Sequence, residues 1–198
     1  ALWHENFSGT ELPFAVEYRD GAKGKVELTD GGRSGGRALR TVKSNDEGYI
    51  VIRFKKSIPV KKGDRLQLNA FYQGKRSLPQ YSLAMLRLQL PGQKDFKLYS
   101  FYPGINGGER LQEVVNTPPG TWERKFSQRQ AQEGMTVFEP VLVLAGAASE
   151  IIWDDFYVED DNISAQNWDL SLNRRPPADR SGDMISEEEL NRKLASDI

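Results

Sequence analysis

Along residues 14–158, apolar and polar side chains alternate in short runs, and Gly, Pro, Asn or Asp closes most of them. Successive side chains of a strand point to opposite faces, so this alternation predicts strands with one buried face. The runs lie at 14–19, 24–29, 37–43, 48–55, 65–73, 81–90, 95–102, 121–127, 136–145 and 150–158. Breaks between them include Asp20-Gly21, Asp30-Gly31-Gly32, Lys62-Gly63-Asp64, Pro91-Gly92, Asn106-Gly107-Gly108 and Pro118-Pro119-Gly120. Gly and Asn tolerate positive φ in such turns, and Pro fixes φ while removing a donor. No helical period interrupts the series. Many short strands without helices predict an all-β fold, an antiparallel jelly-roll β-sandwich over 1–160.

Residues 161–198 read differently. They are polar and charged and include Arg174-Arg175-Pro176-Pro177, which predicts a linker or docking arm. Trp168, Leu170 and Leu172 alternate and suit docking onto the sandwich. Ser186 followed by Glu189 matches a capping box, and Leu190 and Leu194 follow at i, i+4. A short helix over 186–196 is expected.

The alternation also separates two faces. Ile50, Ile52 and Phe54, then Leu66, Leu68, Ala70 and Tyr72, then Ala84, Leu86, Leu88 and Leu90 form an ordinary core set, continued by Phe96 and Leu98. The opposite set is mixed: Tyr49, Val51 and Arg53; Gln67, Asn69 and Phe71; Tyr81, Leu83, Met85, Arg87 and Gln89; Lys97, Tyr99 and Phe101. If these strands lie side by side, one face carries flat rings beside planar hydrogen-bonding groups. A sugar needs that combination, because its C–H face stacks on a ring while its hydroxyls pair with amides and guanidinium groups. We therefore expect ligand contacts from Tyr49, Arg53, Asn69, Phe71, Arg87, Gln89, Tyr99 and Phe101. Arg53, Arg87 and Lys97 additionally suit carboxylated or sulfated sugars. The same pattern also describes a plain solvent-facing sheet surface. Loop ends near 73–80 and 104–110 are a second place for a ligand.

Composition narrows the function classes. The 198 residues hold 27 Lys and Arg against 28 Asp and Glu, a net charge of −1. A nucleic-acid partner is not expected, since such a protein needs a basic surplus. No apolar run approaches the ~20 residues a membrane helix needs, so no membrane partner is expected. There is no Cys and one His, His4, which excludes thiol nucleophiles, disulfides and His-rich metal sites. The chain opens on Ala1 rather than Met, as a removed export signal or an excerpt of a longer chain would leave it. A secreted or periplasmic location and a monomeric state are expected.

Several segments resemble the jelly-roll carbohydrate-binding modules of the galactose-binding-like superfamily, as attached to glycoside hydrolases. Glu5-Asn6-Phe7-Ser8-Gly9 is similar to the family's first strand, and Ser34 to Arg40 to its glycine turn into a strand. Pro59 to Leu68, Thr117 to Trp122, and Ile151 to Val158 with its Asp pair resemble later passages in the same order. The resemblance spans residues 5–158. It implies non-catalytic polysaccharide binding and a catalytic domain in the same parent chain. It also implies a structural Ca²⁺ held by Glu5 or Glu11, carbonyls between Asp30 and Gly36, and Asp154. Ser8 stands where the family usually carries an acid. Trp122 and Trp153 are expected to pack in the interior.

Two other readings stay open. A polysaccharide lyase needs a group that neutralises the uronate, plus a base and an acid. Arg53, Arg87, Asn69 and Gln89 could neutralise, and Tyr49 or Tyr99 could move the proton. A glycoside hydrolase needs two facing carboxylates, and the mixed face carries almost none. A structural domain packed on a neighbouring catalytic domain would show the same pattern.

Overall fold

The computed structural model describes residues 2–74, 82–93, 108–110 and 120–161. Among them the chain forms β1 (Trp3–Glu5), β2 (Phe14–Arg19), β3 (Gly24–Asp30), β4 (Arg37–Lys43), β5 (Tyr49–Phe54) and β6 (Ile58–Pro59). It continues with β7 (Arg65–Gly74), β8 (Ser82–Gln89), β9 (Gly108–Arg110), β10 (Glu123–Gln130), β11 (Val137–Gly146) and β12 (Ser149–Asp160). No helix occurs among the described residues. The expected strand 95–102 and helix 186–196 lie outside them, as does the arm beyond Asp161. The short strands β1, β6 and β9 were too brief to show as runs of alternation.

Two antiparallel sheets result, the jelly-roll sandwich that the pattern predicts. The first runs β10-β7-β12-β4-β3, with β1 also paired to β12. The second runs β2-β5-β11-β8-β9, with β6 also paired to β11. The strands expected to share one decorated face therefore do not share a sheet. β5 and β8 flank β11 in the second sheet, whereas β7 sits between β10 and β12 in the first. Period two says which residues share a face of one strand. It does not say which strands pair, because connections in this fold cross from sheet to sheet.

Between the sheets, Leu39, Leu68, Tyr72, Trp153 and Phe156 pack with Ile50, Ile52, Phe54, Leu86, Leu142 and Leu144. Trp153 is buried, as expected, and its indole N–H donates to Thr41 Oγ1 at 3.0 Å. Truncating such a residue to Ala costs about 3–5 kcal/mol. At one end Phe7, Phe14, Phe54 and Phe156 form a ring cluster, with Phe54 and Phe156 4.6 Å apart at their centroids. Phe7 reaches it through a left-handed backbone, φ 60°, and its N–H is held by Glu5 Oε2 at 2.7 Å.

The pairing of β12 with β7 slips between Asp154 and Tyr157. Two steps along β7, Phe71 to Asn69, oppose three steps along β12, Asp154 to Tyr157, which is a β-bulge. Asp155 takes φ 50° to make it. The extra residue sends Trp153 and Phe156 both into the core and leaves Tyr157 in register with Asn69 on the outer face.

Candidate functional site

The outer face of the first sheet gathers rings, guanidinium groups and amides. On β7, Phe71, Asn69 and Gln67 follow one another at strand spacing, and Phe126 and Tyr157 flank Asn69 on the neighbouring strands. The Phe71 and Tyr157 rings lie 6.4 Å apart, 28° from parallel. The Arg33 guanidinium carbon sits 3.5 Å from the Phe71 ring centroid, close enough for a strong cation–π contact. Arg33 Nη1 donates to Asp155 Oδ2 at 3.1 Å, and His4 Nε2 lies 2.8 Å from Asp155 Oδ1. Arg124 Nη1 donates to Tyr157 Oη at 3.0 Å. Burial pushes the Tyr157 phenol pKa up, with Arg124 pulling the other way, so the hydroxyl stays protonated at neutral pH. Phe71, Tyr157 and Arg33 keep part of their surface open.

Beside these rings lie amides with unused capacity. Asn69 is fully buried; its Nδ2 donates to the Gln67 carbonyl at 3.2 Å, but its Oδ1 has no partner. Gln67 is 1% exposed, and neither of its side-chain amide atoms has one. A buried polar group without a partner costs about 1–3 kcal/mol. At the end of the same face Gln128 Nε2 donates to Asp161 Oδ2 at 2.7 Å. Burial raises the Asp161 carboxyl to about 6.

The outer face of the second sheet differs. Val51, Leu83, Met85, Val141, Val143 and Ala145 are buried there as a second apolar cluster, with Tyr49 packed against it. β11 is thus apolar on both faces, a property that the unbroken run Val141 to Ala145 would have revealed. Charged groups on this face are mutually engaged. Arg53 Nε donates to Glu17 Oε1 at 2.8 Å, Arg53 Nη2 to the Gln93 carbonyl at 2.8 Å, and Arg19 Nη2 to Glu17 Oε2 at 2.6 Å. Burial lifts the Glu17 pKa, but its two arginines outweigh this and hold it below the ordinary value. Arg87 points along its own strand, Nη2 3.6 Å from Met85 Sδ, and the buried Gln89 has no partner for Oε1.

The expected ligand residues are therefore divided. Tyr49, Arg53, Arg87 and Gln89 belong to the second sheet, Asn69 and Phe71 to the first, and Tyr99 and Phe101 lie outside the described residues. The alternation did not single out Arg33, Arg124 or Tyr157, which lie beside Asn69 and Phe71 on the first sheet's outer face. Arg33 comes from a turn and Tyr157 from the far side of a bulge, so alternation carries no signal for either.

Two of the expected metal ligands, Glu5 and Asp154, accept hydrogen bonds from the chain itself. Glu5 Oε2 accepts the Phe7 N–H, and Glu11 is exposed before β2. Asp154 Oδ2 accepts the Arg33 backbone N–H at 2.7 Å, and Oδ1 accepts the Asp155 N–H at 2.7 Å. Burial raises the Asp154 pKa, and these backbone donors oppose that. Among the described residues no three His, Asp or Glu side chains converge as a metal cage.

No protein-family model matches the chain, and no curated protein matches it in sequence. Solved structures share its fold. One is the enzymatically active domain of bacteriophage CBA120 tailspike protein 4, at TM-score 0.50 and 8% identity, over 75% of this chain and 19% of that one. Another is the Clostridium thermocellum xylanase 10B CBM22-1-GH10 pair complexed with xylohexaose, at TM-score 0.50 and 10% identity, over 80% and 28%. A third is the CBM22-1 xylan-binding domain of Paenibacillus barcinonensis Xyn10C, at TM-score 0.49 and 17% identity, over 80% and 93%. This chain thus spans about a fifth of the tailspike chain and over a quarter of the xylanase chain. The jelly-roll sandwich is thus a fold that this chain shares with the tailspike domain and with the CBM22-1-GH10 xylanase chain.

Proposed function

We propose that this chain is a non-catalytic module that binds an extracellular polysaccharide on the outer face of its first sheet. The observation that carries the reading is the Phe71–Tyr157 ring pair, with Arg33 stacked on one ring, Arg124 on the phenol, and unpaired amide atoms of Asn69 and Gln67 in the same row. The rings and the Arg33 guanidinium, which keep part of their surface open, supply a stacking surface and hydrogen-bond donors, and the amides lie buried beneath them. The xylohexaose complex of the structurally similar xylanase modules supports the reading. Tethering to a catalytic domain would raise the local concentration of enzyme on the substrate.

Calorimetric titration against neutral and acidic polysaccharides tests this. A saturating heat with one glycan is expected. Phe71→Ala and Tyr157→Ala should each weaken it by about 1–2 kcal/mol, roughly tenfold. Tyr49→Ala on the second sheet should leave it unchanged. Equal affinity in all three variants removes the face assignment. Heat that continues with time signals turnover and favours a lyase. Silence across the panel favours a domain that serves a neighbouring one.

A further inference from the structure

The junction of β1, the turn before β4 and the β12 bulge is closed by cations of the chain itself. Arg37 Nε donates to the Phe7 carbonyl at 3.0 Å, and Nη2 donates to the Gly9 carbonyl. Arg33 binds both aspartates of the bulge, Asp154 through its backbone N–H and Asp155 through its guanidinium. Two carbonyls of the turn have N–H partners too. The Gly36 carbonyl accepts from Gly32 N at 2.7 Å, and the Gly32 carbonyl accepts from Gly35 N at 3.0 Å. With Glu5 Oε2 on the Phe7 N–H and both Asp154 oxygens on backbone N–H groups, several of the oxygens that the family resemblance offers to a divalent cation are already hydrogen-bonded.

We propose that Arg33 and Arg37 take the place of a bound divalent cation at this junction, which holds the first strand to the last without metal. A guanidinium suits the task. It is always charged and presents five donors in a fixed fork, so it bridges oxygens from separate segments. Its charge also repels a second cation. Ca²⁺ wants roughly six to eight oxygens, and among the described residues no group of three acidic or His side chains offers them. The chain uses the same device at the other end of β4. Lys43 is fully buried there, and its Nζ donates to the carbonyls of Asn45, Glu47 and Gly146 at 2.7, 2.7 and 2.8 Å.

The test is thermal unfolding of the full chain in excess CaCl₂ and in EDTA. A site filled a hundredfold above its Kd would raise Tm by roughly 5–10 °C. We expect agreement within about 1 °C instead, since nothing is bound in either buffer. Arg37→Met should lower Tm by roughly 4–10 °C, and CaCl₂ should not restore it. Lys62→Met, at an exposed ion pair, should shift Tm by no more than about 1–2 °C. Arg37→Lys keeps the charge and gives the same reading with a smaller loss if Arg37→Met yields no folded protein. A rise of Tm with CaCl₂ in the natural sequence overturns the proposal. So does an Arg37→Met or Arg37→Lys Tm no lower than that of Lys62→Met. None of these readouts involves glycan binding, so failure here leaves the functional proposal standing.

Discussion

The two outer faces of the sandwich begin from the same sequence pattern and end as different surfaces. On the second sheet, Val51, Met85 and Val143 meet across three strands and are fully buried, and Arg19 and Arg53 nearby are engaged by Glu17 or by the Gln93 carbonyl. On the first sheet the corresponding row is Phe126, Asn69 and Tyr157, with unpaired amide atoms beside the rings. One face is closed by apolar packing. The other carries rings that keep part of their surface open, with guanidinium groups and amides beside them. A side chain pointing away from the core is thus not yet a side chain pointing at a ligand.

Substitutions can break this comparison. Val143→Asp places a charge in the apolar cluster of the second sheet, away from any partner. It should cost more than about 4 kcal/mol, seen as loss of the cooperative thermal transition. An equally stable variant would mean that this face is open to water.

Asp161, on the first sheet's outer face, should show the opposite sign. Its folded carboxyl stands near 6 instead of 3.8, so the native state keeps a proton that the unfolded chain releases. That stabilising contribution is complete below about pH 4 and is lost as pH rises through about 6. Asp161→Asn keeps an acceptor for Gln128 without the charge. It should gain about 1–3 kcal/mol at pH 7.5 and nothing near pH 4. Melting curves of both proteins across that range would show it, and a pH-independent difference would remove the assignment.

Asn69→Leu sharpens the contrast further. Replacing a polar group of unmet hydrogen-bonding capacity by an apolar one should be neutral or stabilising by up to about 2 kcal/mol. Asn69 is fully buried, so denaturant unfolding is the readout, and a clear loss of stability would mean that the fold uses this amide after all. Glu17→Gln on the second sheet should have the smallest effect, about 1 kcal/mol or less in denaturant unfolding, with glycan affinity untouched.

Much of the fold was legible along the chain. The runs at 14–19, 24–29 and 37–43 reappear as β2, β3 and β4 within a residue, because their alternation and glycine breaks are local properties. The core sets Ile50, Ile52 and Phe54 and Leu66, Leu68, Ala70 and Tyr72 are buried as expected. The site was much less legible. Asn69 and Phe71 share the outer face of the first sheet, but the alternation grouped them with Tyr49 and Arg53, which belong to the other sheet. Tyr157 shares β12 with the core residues Trp153 and Phe156, and strict alternation from Trp153 would place it inward. Only the bulge at Asp155 turns it outward.

The sequence by itself determined the all-β class, the strand positions and the core side of most strands, since each follows from the two-residue period of an extended chain. Tertiary structure alone decided which strands became neighbours. It therefore decided that Arg33 would lie on Phe71, that Arg37 would reach the carbonyls of Phe7 and Gly9, and that the second sheet's outer face would be apolar and closed. Those contacts join residues far apart in the chain. Their geometry comes from sheet order, a bulge and a turn, none of which leaves a period in the sequence.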